Sequence, residues 1–131
     1  MVDEVPMETR LATMADVVAI VNRSPQSMVV VRFPEAIITA ANAAAGELFG
    51  ESTAELVGRH ATSLFHGADE VRSNIAMSAL ASGALDSYCS RRRLATRHDA
   101  EAWTCVRAFE VEDEIIAIAM AVPVDHPRPL D

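Results

Sequence analysis

The sequence predicts an α+β fold: a five-stranded antiparallel sheet with short helices on one face and an amphipathic helix ahead of it. Three observations lead there. Two β-rich runs between residues 28 and 41 are separated by a Pro-Glu break. The stretch from Asn42 to Gly83 carries helix caps and helical spacing without a period-two run. From Tyr88 to Val124, apolar and polar residues alternate in three blocks. Strands in two groups with helices between them pack as one antiparallel sheet that holds its helices on one side.

Residues 7–22 contain no Gly or Pro, and Met7, Leu11, Met14, Val18 and Val21 follow a 4-3-4-3 spacing that makes one helical stripe. Val17 and Ile20 widen it, and Asn22-Arg23-Ser24-Pro25 stops it. Met28 to Phe33 and Ala36 to Ala41 then form a hairpin around Pro34-Glu35. Asn42 suits an N-cap for a helix that ends at Phe49-Gly50. Ser52 with Glu55 three residues on is a capping-box pattern for a second short helix, ended by Gly58. From Asp69 to Leu80, apolar Val71, Ile75, Ala76, Ala79 and Leu80 fall at helical spacing, with Ser82-Gly83 as the exit. Tyr88–Thr96, Glu101–Val111 and Ile115–Val124 close the chain as strands joined by turns at 97–99 and 112–114. The organisation is a lead-in helix over 1–23, one domain over 24–125, and a tail or linker to an effector over 126–131.

The formal charge of the 131 residues is −8, and all eleven basic residues are Arg. A surface of that sign repels phosphate backbones, so direct nucleic-acid binding by this segment is not expected. The longest apolar run, Ile115 to Val122, is far below the roughly 20 residues of a membrane span. The acidic start, Met1-Val2-Asp3-Glu4, reads as a cytoplasmic chain without a membrane partner. Cys89 and Cys105 have no metal-ligand spacing and are expected to be unpaired small hydrophobes. Arg91-Arg92-Arg93 is expected to be a solvated strand edge. Glu110, Glu112, Asp113 and Glu114 read as a solvated loop, and no metal site is expected.

The stretch Ile38-Thr39-Ala40-Ala41-Asn42-Ala43-Ala44-Ala45-Gly46-Glu47-Leu48-Phe49-Gly50, continued by Leu56-Val57-Gly58-Arg59, resembles the opening half of a PAS domain. In that family a strand runs into Asn-x-Ala, a short helix ends in Phe/Tyr-Gly, and Leu-(Val/Ile)-Gly-Arg/Lys follows. Trp103 matches a Trp often found on the fourth strand, whereas the usual Asp-Gly turn is replaced by His98-Asp99-Ala100 and the Asp-Ile-Thr ending by Pro123-Val124-Asp125. The resemblance implies a sheet curved around a small cavity roofed by the helices. Its other face is then covered by the N-terminal helix or by a second subunit. On the fourth strand it turns Thr104, Val106 and Ala108 inward, and Trp103, Cys105, Arg107 and Phe109 outward. A small ligand would then touch Phe49, Leu64, Phe65, Ile75, Tyr88, Leu94, Thr104 and Val106. A homodimer interface would include Leu11, Met14, Val18 and Trp103. The function implied is that of a PAS sensory module in a signalling or transcription-regulatory protein. It would bind a ligand or dimerise and pass the result to an effector domain or partner protein. A ligand-free interaction scaffold is the alternative.

The segment in which flavin-binding photosensors of the family carry a reactive Cys reads Gly58-Arg59-His60-Ala61-Thr62-Ser63-Leu64-Phe65, with no thiol. Haem-binding relatives place an axial His about three turns before the Gly that ends the long helix; here that count reaches Arg72. Haem through His66 is the remote alternative, and no cofactor is expected. Ser63, His66 and Asp69 have the residue types of a nucleophile, base and orienter, but no oxyanion-hole glycine loop accompanies them, so no catalysis is expected.

Overall fold

A computed structural model describes residues 13–96 and 100–124. Helix α1 (Met14–Arg23) leads into β1 (Ser27–Arg32) and β2 (Ile37–Ala41). The connecting layer is α2 (Ala43–Phe49), α3 (Thr53–Leu56), a 3-10 turn (Ala61–Leu64) and α4 (Ala68–Ser82). Then come β3 (Ser87–Arg93), β4 (Glu101–Val111) and β5 (Glu114–Pro123). The five strands form one sheet in the order β2-β1-β5-β4-β3, antiparallel throughout. The α+β architecture is the expected one. The predicted turn at 97–99 and the tail at 126–131 lie outside the described residues.

The start of α1 is a correction. Thr13 is extended, its hydroxyl accepts from the Asp16 N–H at 3.1 Å, and the Asp16 carboxylate accepts from the Thr13 N–H at 3.3 Å. This capping box begins the helix at Met14 rather than Met7. Met7 and the predicted interface residue Leu11 lie outside the described residues. The face turned to the sheet is Met14, Val17 and Val21, and Val18 is only half-buried.

Strand alternation divides the sheet into two faces. Val29, Val31, Ile38, Val106 and Ala117 point inward and pack with Phe49, Leu56, Leu64, Phe65, Met77 and Leu80 of the helical layer. Val30, Val111 and Ile116 point outward under Val17 and Val21. Helix α1 therefore covers the outer face at β1 and β5. It leaves Trp103 46%, Phe109 40% and Val122 38% exposed, so among the described residues α1 does not supply the expected cover of Trp103 and Phe109.

Asn42 ties the layers together. Its Oδ1 accepts from Ala45 N–H (2.9 Å) as the α2 cap and from Met28 N–H (3.1 Å) on β1. Its Nδ2 donates to the carbonyls of Val21 (2.9 Å) and Gln26 (2.8 Å). Gly46 is the residue α2 requires, because a Cβ there would lie 2.8 Å from the Glu51 carbonyl oxygen. The Gly58-Arg59 segment joins the roof to β2 through Gly58 N–H to Ile38 O (2.8 Å) and Ile38 N–H to Arg59 O (2.9 Å).

Three further expectations are corrected. On α4 the buried residues are Ser73, Met77 and Leu80, while Val71 and Ile75 are exposed. The Ala- and Ser-rich helix has weak amphipathicity, and its orientation is set by Ser73, whose hydroxyl accepts from buried Arg92 Nε at 2.9 Å. Arg92 is thus the inward member of the arginine run, while Arg91 pairs with Glu101 at 2.6 Å on the outer face. Finally, Cys89 and Cys105 are not unpaired: they are directly opposite in the β3–β4 ladder and form a disulfide.

Candidate ligand-binding site

The inner face of the sheet carries one cross-strand row with unusual chemistry. Ser27 on β1 pairs with Ala121 on β5, Ala121 with Thr104 on β4, and Thr104 with Ser90 on β3. The hydroxyls of Ser27, Thr104 and Ser90 are all buried and all lack a hydrogen-bond partner. An unpartnered buried hydroxyl costs about 1–3 kcal/mol, so three in one row call for a partner from outside the chain, a water or a ligand. Ala121 in the middle leaves space above the sheet.

A void of about 20 Å³ lies over the Ser27–Ala121–Thr104 part of this row, with Ser27, Thr104 and Val106 below it and Phe49, Leu64, Phe65 and Met77 above; Ser90 does not line it. That is room for about one water. The Phe49 and Phe65 rings meet edge-on, 6.3 Å between centroids at 71°, and close the roof. A larger ligand requires these rings or the flexible Met77 side chain to move.

Five of the eight predicted ligand residues, Phe49, Leu64, Phe65, Thr104 and Val106, line this void. Leu94 is fully buried in the same core without reaching it, and Tyr88 packs half-buried at its side. Burial pushes the Tyr88 phenol above its ordinary pKa, with the Arg92 guanidinium partly opposing. Ile75 is 67% exposed on the solvent side of α4 and is no part of the site. Sequence reasoning missed Ser27 and Met77. Ser27 was one residue outside the predicted strand, and Met77 was not among the apolar positions assigned to the helix face.

A wider groove of about 340 Å³, open to solvent, separates α4 from Phe33-Pro34 and is edged by His60 and Asn74. Here Thr62 Oγ1 donates to Asn74 Oδ1 at 3.0 Å and lies 2.8 Å from His60 Nδ1.

The Ser63, His66 and Asp69 side chains do not assemble into a relay. Ser63 Oγ donates to His60 O at 2.7 Å, while the Asp69 carboxylate accepts from Arg72 (2.7 Å) and from Arg93 N–H (2.7 Å). Nor do the residues fit the family's chromophores. Both cysteines face the outer side of the sheet, His66 is exposed away from the void, and the void is far smaller than an isoalloxazine or a porphyrin. The acidic turn is structural: Glu112 accepts from the Met14 N–H at 3.2 Å, and Glu114 pairs with Arg32 at 2.8 Å. No helix among the described residues is long and apolar enough to cross a membrane.

The outer face is the second candidate surface. Trp103 pairs across the ladder with Val122, Cys105 with Met120, and Arg107 with Ile118. Of the predicted interface residues, Trp103 is exposed on it, whereas Met14 and Val18 belong to the α1 edge of the same face.

A family model described as the PAS fold matches residues 15–119 of the 131. Comparison with curated proteins finds no match. Among solved structures, the LOV protein of Rhodobacter sphaeroides aligns with a TM-score of 0.69 at 16% identity, covering 88% of this chain and 70% of that one. The PAS domain of nitrogen regulation protein NR(II) from Vibrio parahaemolyticus aligns at 0.61 and 16% identity over 82% of this chain and 97% of its own. The PAS domain of a LuxR-family transcriptional regulator from Burkholderia thailandensis, solved with ethanol, aligns at 0.59 and 18% identity over 82% and 96%.

Proposed function

Because the chain belongs to the PAS family, we propose that it is the non-catalytic sensory module of a cytoplasmic signal-transduction or transcription-regulatory protein. It takes a small uncharged polar ligand between the sheet and the roof helices, works without a chromophore, and passes the occupancy to an effector through its outer face. The observation that carries this reading is the row of unpartnered hydroxyls on Ser27, Thr104 and Ser90. A ligand edge with a donor and an acceptor satisfies those of Ser27 and Thr104, which line the void, and the surrounding aromatic and aliphatic walls supply the apolar remainder of such a site. The protein solved with ethanol is a relative whose ligand has this chemistry, one hydroxyl on a short apolar body. Binding stabilises the folded state by mass action and biases the roof between two arrangements.

Self-association through the outer face belongs to the same proposal. Trp103, Phe109 and Val122 form an exposed apolar patch, and α1 lies beside it with Ile20 50% exposed. One observation favours a second reading, the ligand-free dimerisation scaffold: the void is only about 20 Å³.

Native mass spectrometry and an absorbance spectrum on freshly purified protein, followed by thermal shift with short alcohols and amides, separate the two. A co-purifying small molecule or a ligand-induced gain in Tm that is lost in Thr104→Leu supports the sensor. A colourless protein with no adduct and no Tm response, but a dimer by light scattering, supports the scaffold.

A further inference from the structure

The geometry points to a thiol–disulfide exchange site at Cys89 and Cys105, oxidised and reduced by a small-molecule thiol of the glutathione class while the domain stays folded. The two residues are register partners on β3 and β4 with Cα atoms 4.0 Å apart, closer than the usual disulfide span of about 4.4–6.8 Å, and they form the bond. They stand on the outer face, in the row Met120–Cys105–Cys89. β3 is an edge strand and Cys89 is exposed, so a solvent thiolate has a clear approach to its sulfur.

Two arginines share this face with the pair although the chain carries −8 overall. On the same face Arg91 stands two residues from Cys89 and Arg107 two residues from Cys105, and each guanidinium reaches away from the pair, toward Glu101 and Phe109. Arg91 is held by Glu101. Arg107 lies 6.0 Å over the Phe109 ring and makes no ion pair among the described residues. The thiolate is the nucleophile of exchange, and a solvent-facing disulfide is the one it reaches. An inert structural cysteine pair is buried in apolar surroundings, whereas Cys89 is exposed.

The exchange balances with two equivalents of thiol. A thiolate attacks Cys89 Sγ, the Cys89–Cys105 bond breaks, and Cys105 leaves as thiolate and takes a proton. A second thiolate attacks the outer sulfur of the mixed disulfide, releasing Cys89 as thiolate, which also takes a proton, together with the oxidised small molecule. Two electrons pass from two small thiols to the protein, and the reverse sequence restores the bond. The site adjoins Trp103 on the face proposed for self-association, so redox state and assembly share one surface.

The test equilibrates the whole chain in glutathione buffers from fully reduced to fully oxidised, traps free thiols by alkylation and weighs the intact protein. The expected result is one reversible transition without denaturant, in which both thiols appear and disappear together. Emission from Trp103, the only tryptophan, should rise on reduction as the neighbouring bond is removed. Three results overturn the proposal: a bond that resists glutathione until urea is added, a dithiol at every ratio, or mixed and intermolecular disulfides as the only oxidised products. A second measurement follows the rate of Cys89 alkylation in folded Cys105→Ser: rapid labelling without denaturant is expected, and a thiol that reacts only after urea is added counts against the proposal.

Discussion

Replacing Thr104 by Val tests the hydroxyl row directly. Thr104 is 4% exposed, and its Oγ1 has no partner. The substitution keeps the branched shape, removes a buried unpartnered hydroxyl worth about 1–3 kcal/mol, and buries a methyl worth roughly 0.8 kcal/mol. Because the unfolded chain solvates the hydroxyl in full, the gain falls on the folded state. Discounting for partial relaxation, ligand-free protein should become more stable by about 2 kcal/mol. For a domain of this size, at roughly 3–5 °C per kcal/mol, that raises Tm by about 6–10 °C. The assay is thermal and urea unfolding of a preparation shown ligand-free by native mass spectrometry. A Tm that stays level or falls would refute the reasoning, because it would mean the hydroxyl is already bonded, for instance to an internal water. The same variant should lose part of any ligand-induced stabilisation, so stability and binding are expected to move in opposite directions.

Asn42→Ala should cost about 3 kcal/mol of stability measured by urea unfolding, since it removes the α2 cap and strands the Met28 N–H and the carbonyls of Val21 and Gln26; a loss under about 1 kcal/mol would contradict the hub role. Tyr88 has its folded pKa raised by burial, so its contribution to stability is fully present below the unfolded value of about 10 and is lost as pH rises through the folded value. Tyr88→Phe should flatten the fall in stability above pH about 10, and the single tyrosine makes an ultraviolet titration specific to this group. Val18→Asp places a charge at the half-buried edge of α1 beside the outer face and should convert a dimer to monomers by light scattering while the Tm of the monomer changes little; wild-type protein that is monomeric at tens of micromolar would oppose dimerisation.

What the sequence disclosed was set by local chemistry. The Asn42 cap and the Ser52/Glu55 capping box are contacts between residues three apart, and both are present as read. The two alternating sets of β4 were legible because alternation survives any error at the strand ends, and the family resemblance assigned their faces: Thr104 and Val106 are inside, and Trp103 and Phe109 outside. Helix rotation was harder. On α4 the predicted stripe turned Ile75 inward, yet the chain buries Ser73, a polar residue whose reason for burial, Arg92, lies on another element. On α1 the spacing counted from Met7 centred the stripe on Val18, but the Thr13 cap resets the helix and turns Val17 to the sheet.

Register is the property no single strand encodes, and it decides both candidate sites. A symmetric hairpin about a turn at 97–99 would set Cys105 opposite Arg91; the observed pairing sets it opposite Cys89, two residues away on the same face. The same pairing sets Ser90 opposite Thr104, and Ala121 joins that row to Ser27. One displacement along β3 therefore separates a chain with two isolated thiols and scattered hydroxyls from one with a disulfide outside and a polar strip inside. Because inner and outer partners on β3 move together, a change that shifted this hairpin would break the disulfide and misalign the strip at once. The cysteine bond on the outer face and the inner row thus share one register.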